Sequence, residues 1–251
     1  MIVKYITCYY NYSEGFSRYK LTRDFMNKYG DMVHMIEFAY EDAPFLFKGT
    51  RIRLSKFTGF MNNKAINYYI KNNKLDAVVF IDSDLILEEE FFDKLESQLV
   101  FDLPTYCQPF SVCYEKHKNP KIISPPMQSS SMSFTTLGRS CENNHTGYIY
   151  AYNKKFLQLI NYHFPESLVL GGFDTVLWEC INGTLQEDTY DNDVYKFNYQ
   201  IQMAGIQCIE GIILHNEHGN KGNRYSGRME LYKKPITEEV LLAYFERRAD
   251  A

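Results

Sequence analysis

Two aspartates, Asp82 and Asp84, flank Ser83 directly behind residues 75–81 (LDAVVFI), a continuous apolar run with an acidic end. Acids at i and i+2 project to one side of an extended chain, and a turn at a strand end can converge them. Carboxylate oxygens suit a hard divalent cation that shares its shell with phosphates, and such a cation neutralises charge as a phosphate leaving group departs. An isolated D-x-D is common and can simply cap a strand. This one ends the most buried-looking strand of the chain, so Asp82 and Asp84 are expected to be metal ligands. His215 ends a later apolar run (residues 212–214, IIL), and a neutral imidazole can complete a shell that a carboxylate begins; His218 is the alternative ligand. Asp174 follows Gly171, Gly172 and Phe173 at the start of a helical stretch (TVLWECI). Glycines let the backbone approach a ligand, and an acid at a helix start is favoured by the macrodipole. By its placement alone Asp174 reads as a helix cap beside a backbone that a ligand can approach. Behind His215, NEHGNKGNRYSGRMELYKK carries Lys221, Arg224, Arg228, Lys233 and Lys234 against Glu217 and Glu230. Guanidinium forks suit phosphate oxygens, although a solvated basic loop has the same composition.

The elements that must position these residues follow from periodicity. Residues 2–10 form a β-branched and aromatic run, and residues 14–29 have helical spacing that stops at Gly30, a glycine in the usual C′ place. Strands are expected over 32–40 and 50–54, a helix over 58–72, a central parallel strand over 75–81 and a helix over 88–99. Strand–helix alternation of this kind builds an open, mostly parallel sheet, whose ligands sit beyond the carboxyl ends of its strands. Residues 115–146, rich in Pro, Ser and Asn, read as a long loop. Beyond it the pattern gives a strand over 147–152, helices over 153–162, 173–182 and 194–204, one strand over 206–214 and a last helix over 237–248.

LDAVVFIDSDLILEEEFF resembles the D-x-D segment of glycosyltransferase-A enzymes. That resemblance implies an α/β, single-domain glycosyltransferase-A fold with a Rossmann-like, mostly parallel central sheet flanked by helices. One domain spans 1–251: a nucleotide-binding half (1–112), the long loop (113–146), and an acceptor-binding half with a C-terminal lid (147–251). It implies a nucleotide-diphosphate sugar as donor, UDP-sugar favoured, with Mn2+ or Mg2+ held by Asp82, Asp84 and His215. Thr7, Tyr9, Glu37, Arg53, Lys64, Asp82 and Ser83 then line the donor, and Lys221, Arg224 and Arg228 close over its diphosphate. Gly171-Gly172-Phe173-Asp174 resembles the Gly-Gly-Glu-Asp region of β-1,4-galactosyltransferases and polypeptide N-acetylgalactosaminyltransferases. It makes Asp174 the general base of an inverting transfer, with Phe173 standing where those families carry Glu. The D-x-D of haloacid-dehalogenase-type phosphatases fits less well, since there Thr or Gly follows where Leu85-Ile86-Leu87 stand here. The late H-x-x-H-G and R-Y-x-x-R are similar to phage- and virus-encoded glycosyltransferases, which points to a glycan or a hydroxymethylated DNA base as acceptor.

Composition sets the outer limits. With 251 residues and 45% hydrophobic content the chain can bury a large core. Its net charge of −4 argues against broad electrostatic binding of nucleic acid, though not against a local basic groove. No run approaches the roughly 18 apolar residues of a membrane span, and residues 1–10 lack a signal-peptide pattern. Six scattered cysteines without a Cys-x-x-Cys pair read as free thiols, and the expected location is the cytoplasm. Two other functions compete. A sugar-nucleotide pyrophosphorylase needs a glycine-rich loop after the first strand, where only Gly15 stands. A non-catalytic sugar or nucleotide binder has no need of Asp82, Asp84, Asp174 and His215 together.

Overall fold

The computed structural model describes residues 1–11, 16–40, 43–54, 62–116, 125–138, 144–168, 173–186 and 190–216. The chain begins with β1 (Val3–Asn11), α1 (Phe16–Tyr29), β2 (Val33–Tyr40), β3 (Thr50–Leu54), α2 (Asn62–Asn72), β4 (Ala77–Ile81), β5 (Leu85–Leu87) and α3 (Phe91–Gln98). It continues through β6 (Thr105–Gln108), β7 (Val112–Lys116), β8 (Met127–Gln128), α4 (Ser130–Leu137), β9 (Ile149–Asn153) and α5 (Lys154–Leu159). The last described elements are α6 (Phe173–Asn182), α7 (Asn192–Ile201), β10 (Gly205–Cys208) and β11 (Ile212–Asn216).

Seven strands form one sheet in the order β10-β6-β9-β4-β1-β2-β3. All its neighbouring pairs are parallel except the two made by β9, which runs against β4 and β6. The expected α/β architecture with a mostly parallel central sheet is therefore present. Side chains alternate between its faces, as the two-residue period of a strand requires. Ile6, Val78, Tyr106 and Tyr152 enter the core beneath α2, α5, α6 and α7, whereas Tyr5, Val79, Cys107 and Ala151 enter the core with residues of α1 and α3. The helices bury matching stripes: Val194, Phe197 and Ile201 of α7 recur at helical spacing behind the N-cap Asp191.

A second sheet, ordered β5-β11-β7-β8, stands at the end of β4. Two chain segments cross into it side by side. After β6 the chain passes Pro109–Ser111 into β7, and after β10 it passes residues 209–211 into β11. The Gly211 carbonyl accepts from the Ser111 and Val112 amides, which ties the two crossings together. The single strand expected over 206–214 is accordingly two strands in two sheets. Its break is held by Glu88, whose carboxylate accepts from the Ile212 amide (2.7 Å).

The long loop expected over 113–146 also needs correction, since it contains most of β7, all of β8 and the helix α4. Polar composition misleads here because the serines are structural. The Ser129 hydroxyl caps α4 by accepting from the Met132 amide, and Gly138 ends the helix in the left-handed region at φ 69°. Ser129, Ser130, Ser131 and Ser133 are all buried. Gly30 follows α1 as expected, but for a steric reason: a Cβ there would lie 2.4 Å from the Met26 carbonyl oxygen. The expected helix over 237–248 lies outside the described residues. Among the described residues no helix is long and apolar enough to cross a membrane.

Candidate active site

The apolar run of β4 carries the chain to the edge of both cores and stops. The Asp82 amide then donates to the Tyr148 carbonyl (2.9 Å), which fixes the turn against the start of β9. The Ser83 hydroxyl is buried against that of Thr22 on α1 (2.7 Å). Asp84 leads into β5. The two acids therefore meet different surroundings: Asp82 is exposed, while Asp84 is 5% exposed. The charge of Asp82 faces the end of β1, where it adds to burial in pushing the Cys8 thiol up to about 12.

His215 reaches Asp84 through strand register. β11 pairs antiparallel with β5, setting His215 opposite Leu85, and the amide and side-chain N–H of Asn216 both donate to the Asp84 carbonyl (2.9 and 3.0 Å). His215 Nε2 stands 3.6 Å from Asp84 Oδ2, beyond a normal hydrogen bond, and both side chains are almost wholly buried. A carboxylate oxygen and an imidazole nitrogen held this way form a two-donor set suited to Mn2+, and to Mg2+ less well. Among the described residues no group of three or more His, Cys, Asp or Glu side chains is assembled for a metal. His218, the alternative ligand, lies outside the described residues.

A column of rings extends from this pair. Tyr148 packs on His215 with centroids 4.7 Å apart, and His145 stacks on Tyr148 at 3.5 Å and 6°. Tyr148 has φ 82°, a strained conformation for a bulky residue and one that marks functional sites more often than chance. Burial, followed by the charges of Cys113, Glu115, Asp84 and Asp82, raises its phenol far above the ordinary tyrosine range. His145 is pulled the other way. Burial lowers it to about 4, partly opposed by the Asp174 charge and reinforced by His215.

Asp174 sits in the first turn of α6 at the far end of this column. Its Oδ2 accepts from the Thr146 hydroxyl (3.2 Å), and the Tyr150 hydroxyl donates to the Thr146 carbonyl (2.7 Å). Gly147 lies between the acid and the histidine: a Cβ there would stand 3.0 Å from His145 Cε1 and 3.3 Å from Asp174 Oδ2. The segment 145–147 is held from β6 by Gln108, fully buried, whose amide N–H groups reach the carbonyls of His145, Thr146 and Gly147 (3.3, 3.1 and 3.3 Å). Phe173, standing where the resembled families carry Glu, packs its ring against Phe164 and Phe197 at 5.3 and 5.5 Å. It therefore docks α6 onto the core. Gly171 and Gly172 lie outside the described residues.

The expected donor-binding residues are spread more widely. Thr7 is buried, with Oγ1 making no hydrogen bond among the described residues. Tyr9 is buried in a small cluster with Met35 and Phe47. Glu37 is fully buried, its two oxygens accepting from the Leu46 and Phe47 amides (2.7 and 2.9 Å), so it holds the 43–49 connection in place. Arg53 lies over the Phe45 ring at 4.4 Å and donates to the Ala43 carbonyl. Thr7 and Tyr9 are on β1 beside β4, Glu37 is on β2 and Arg53 on the edge strand β3. Lys64 is on α2, and its side chain is outside the described residues, as are Lys221, Arg224 and Arg228. The structure thus joins Asp84 to His215 and, through Tyr148 and His145, to Asp174. The sequence reading missed His145, Tyr148, Thr146 and Gln108. The glycine inside NHTGYIY was the one local signal of a close approach there.

No family model and no curated protein matches the chain. Its structural neighbours are glycosyltransferases of low sequence identity. The chain is similar to the crystal structure of S. aureus TarS 1-349, with 12% identity over 98% of this chain and 71% of that one at a TM-score of 0.45. The complex of that protein with UDP-GlcNAc gives 11% identity, 98% and 72% coverage and 0.48. GalNAc-T7 with UDP, GalNAc and Mn2+ gives 12%, 88% and 44%, and 0.49.

Proposed function

We propose that the chain is a metal-dependent glycosyltransferase of the glycosyltransferase-A type, moving a sugar from a nucleotide-diphosphate donor, UDP-sugar favoured, to an acceptor hydroxyl with inversion. The observation that carries this reading is the meeting of Asp84 and His215 at the carboxyl end of a central parallel strand, with Asp174 held across Tyr148 and His145 from them. Ligands of open α/β sheets bind beyond such strand ends.

In this reading Asp84 and His215 hold the divalent cation, and the exposed Asp82 faces the donor beside them. The cation, when bound, neutralises charge on the departing diphosphate. Asp174 takes the proton of the acceptor hydroxyl as that oxygen attacks the anomeric carbon. The Thr146 hydroxyl, bonded to Oδ2, orients the carboxylate for that transfer. Thr7, Ser83 and the strand ends around them bound the nucleotide side, and Lys221, Arg224 and Arg228 contribute charge toward the diphosphate. Acceptors to be tried are glycans and hydroxymethylated DNA bases.

The test is a panel of UDP, GDP, dTDP and CMP sugars, read by thermal shift with and without Mn2+ and then by release of the nucleotide. One donor should stabilise the protein only when the metal is present and should be slowly hydrolysed. A panel without any metal-dependent binder removes the proposal, and pyrophosphate-dependent formation of a nucleoside triphosphate would favour the pyrophosphorylase instead. Replacing Arg224 and Arg228 by Ala should raise the donor KM with a smaller effect on kcat; unchanged KM would take the basic segment out of the site.

A further inference from the structure

We infer that His145 is the hydrogen-bond donor to a hydroxyl oxygen of the transferred sugar, and so a determinant of donor-sugar recognition; the inference rests on the transfer reading above. The proton's place on the ring is set by the backbone. The Gly147 amide donates to His145 Nδ1 at 2.9 Å, so in the neutral imidazole the proton resides on Nε2. Burial lowers the ring to about 4 and keeps it neutral at ordinary pH, opposed by the Asp174 charge, reinforced by His215, and opposed again by a backbone hydrogen bond with Gly147 and the Glu115 charge. Such a ring offers one donor in a fixed direction.

That direction is built rigidly. The His145 amide donates to the Gln128 carbonyl (2.9 Å), and its own carbonyl accepts from the Ser130 amide and hydroxyl and from Gln108. The ring face lies flat on Tyr148, whose strained backbone is itself fixed by the Asp82 amide. Nε2 makes no hydrogen bond among the described residues, and the side chain is only half-buried. A locked donor without a partner among the described residues, on a side chain that is only half-buried, is an arrangement for a ligand acceptor.

Its place in the site narrows which acceptor. Tyr148 separates His145 from His215 and the metal end, while on the other side Gly147 leaves His145 Cε1 close to Asp174. The molecule that spans those two ends during transfer is the sugar itself. Asp82, Asp84, Asp174 and Glu115 are acceptors when ionised and can take hydroxyl protons, but none can satisfy the lone pairs of a sugar oxygen. Nε2–H supplies such a donor.

The experiment compares the affinities of a nucleoside diphosphate and its nucleotide sugar, with Mg2+ present, for wild type, His145→Phe and His145→Gln. Phe keeps the stack on Tyr148 and removes the donor. It should leave nucleoside-diphosphate affinity unchanged and weaken the nucleotide sugar by about 5–10-fold, as expected for one lost hydrogen bond. Gln can accept from the Gly147 amide with its oxygen and donate with its nitrogen, so it should restore most of the loss. Equal weakening of both ligands, or of neither, overturns the inference while leaving the transfer reading standing. A wild type that binds no nucleotide sugar of the panel overturns the transfer reading, and this inference with it. Should His145→Phe unfold, nitrogen-15 histidine spectra of the wild type decide. Nε2 should carry the proton, and its resonance should move with the nucleotide sugar but not with the nucleoside diphosphate; protonation at Nδ1, or equal shifts with both, overturns it.

Discussion

Asp84 and Asp174 are both carboxylates at element boundaries, yet they stand in different surroundings. Asp84 is buried against an imidazole, and Asp174 is half-buried with one oxygen bonded to a hydroxyl. Asp84→Asn keeps the shape of the side chain and removes its charge. It should abolish transfer and the metal-dependent stabilisation by donor, with the melting point of the ligand-free protein little changed. His215→Ala should weaken the metal by about 10–100-fold, measured by titrating Mn2+ against donor turnover and by anomalous scattering. An ion found far from His215 would reassign it to a structural role. Asp174→Asn cannot accept a proton, so kcat should fall by about 10²–10⁴ while donor affinity holds. Product analysis by NMR should show inversion at the anomeric carbon. Retention would leave Asp174 only the sugar's hydroxyls to hold.

At the scale of elements, the site depends on segment 145–147 entering β9 in one conformation. Gln108 is its anchor: beyond the three carbonyls it reaches, its own oxygen accepts from the Ser131 amide (2.9 Å) at the start of α4. β6, α4 and the turn before β9 are thus fastened by one fully buried side chain. Gln108→Met keeps the volume and deletes these bonds, leaving the Ser131 amide unsatisfied. The expected loss is about 2–4 kcal/mol in urea unfolding, from roughly 1 kcal/mol per bond plus the cost of a stranded donor. Transfer activity should fall further than stability does, because His145 and Thr146 lose their seating. An unchanged unfolding midpoint would show that the segment is held by other contacts.

For the whole molecule, pH is the informative variable. His145 has a native value of about 4 against about 6.5 in an unfolded chain. The unfolded state therefore binds the proton first as pH falls, and stability is lost progressively from about 6.5 down to 4 and not further. Above pH 7 both states are neutral at this ring, and the dependence disappears. The contribution is on the order of 1–3 kcal/mol. His34, lowered by burial and then by Lys4, adds loss in the same direction. Urea midpoints at pH 7.5 and 4.5 should differ more for the wild type than for His145→Phe; equal differences would mean that the ring is not buried in solution. The described thiols behave alike: burial raises Cys8, Cys113 and Cys180 to about 12, so alkylation of these three at pH 7.5 should be slow until the protein unfolds.

Residues 75–81 announced a central strand because continuous apolar sequence is stable only when both faces are covered, and that burial rule acts locally enough to be read from seven letters. The same holds for the β1–α1–β2 start, for α6, and for Asp174 at its head. Asp82 and Asp84 were visible as chemistry, but not their division into an exposed and a buried acid, because the turn between them is set by Tyr148 and Thr22. The serines at 129–131 read as loop because propensity counts hydroxyls as polar, whereas here the fold supplies each with a buried partner or cap. Sequence determined that a carboxylate pair, a late histidine and a helix-head acid exist at strand and helix ends. Only the tertiary structure decided that β11 leaves the main sheet and pairs with β5, since that pairing is a contact between distant segments whose free energy depends on the whole packed core. That crossing brings His215 to Asp84.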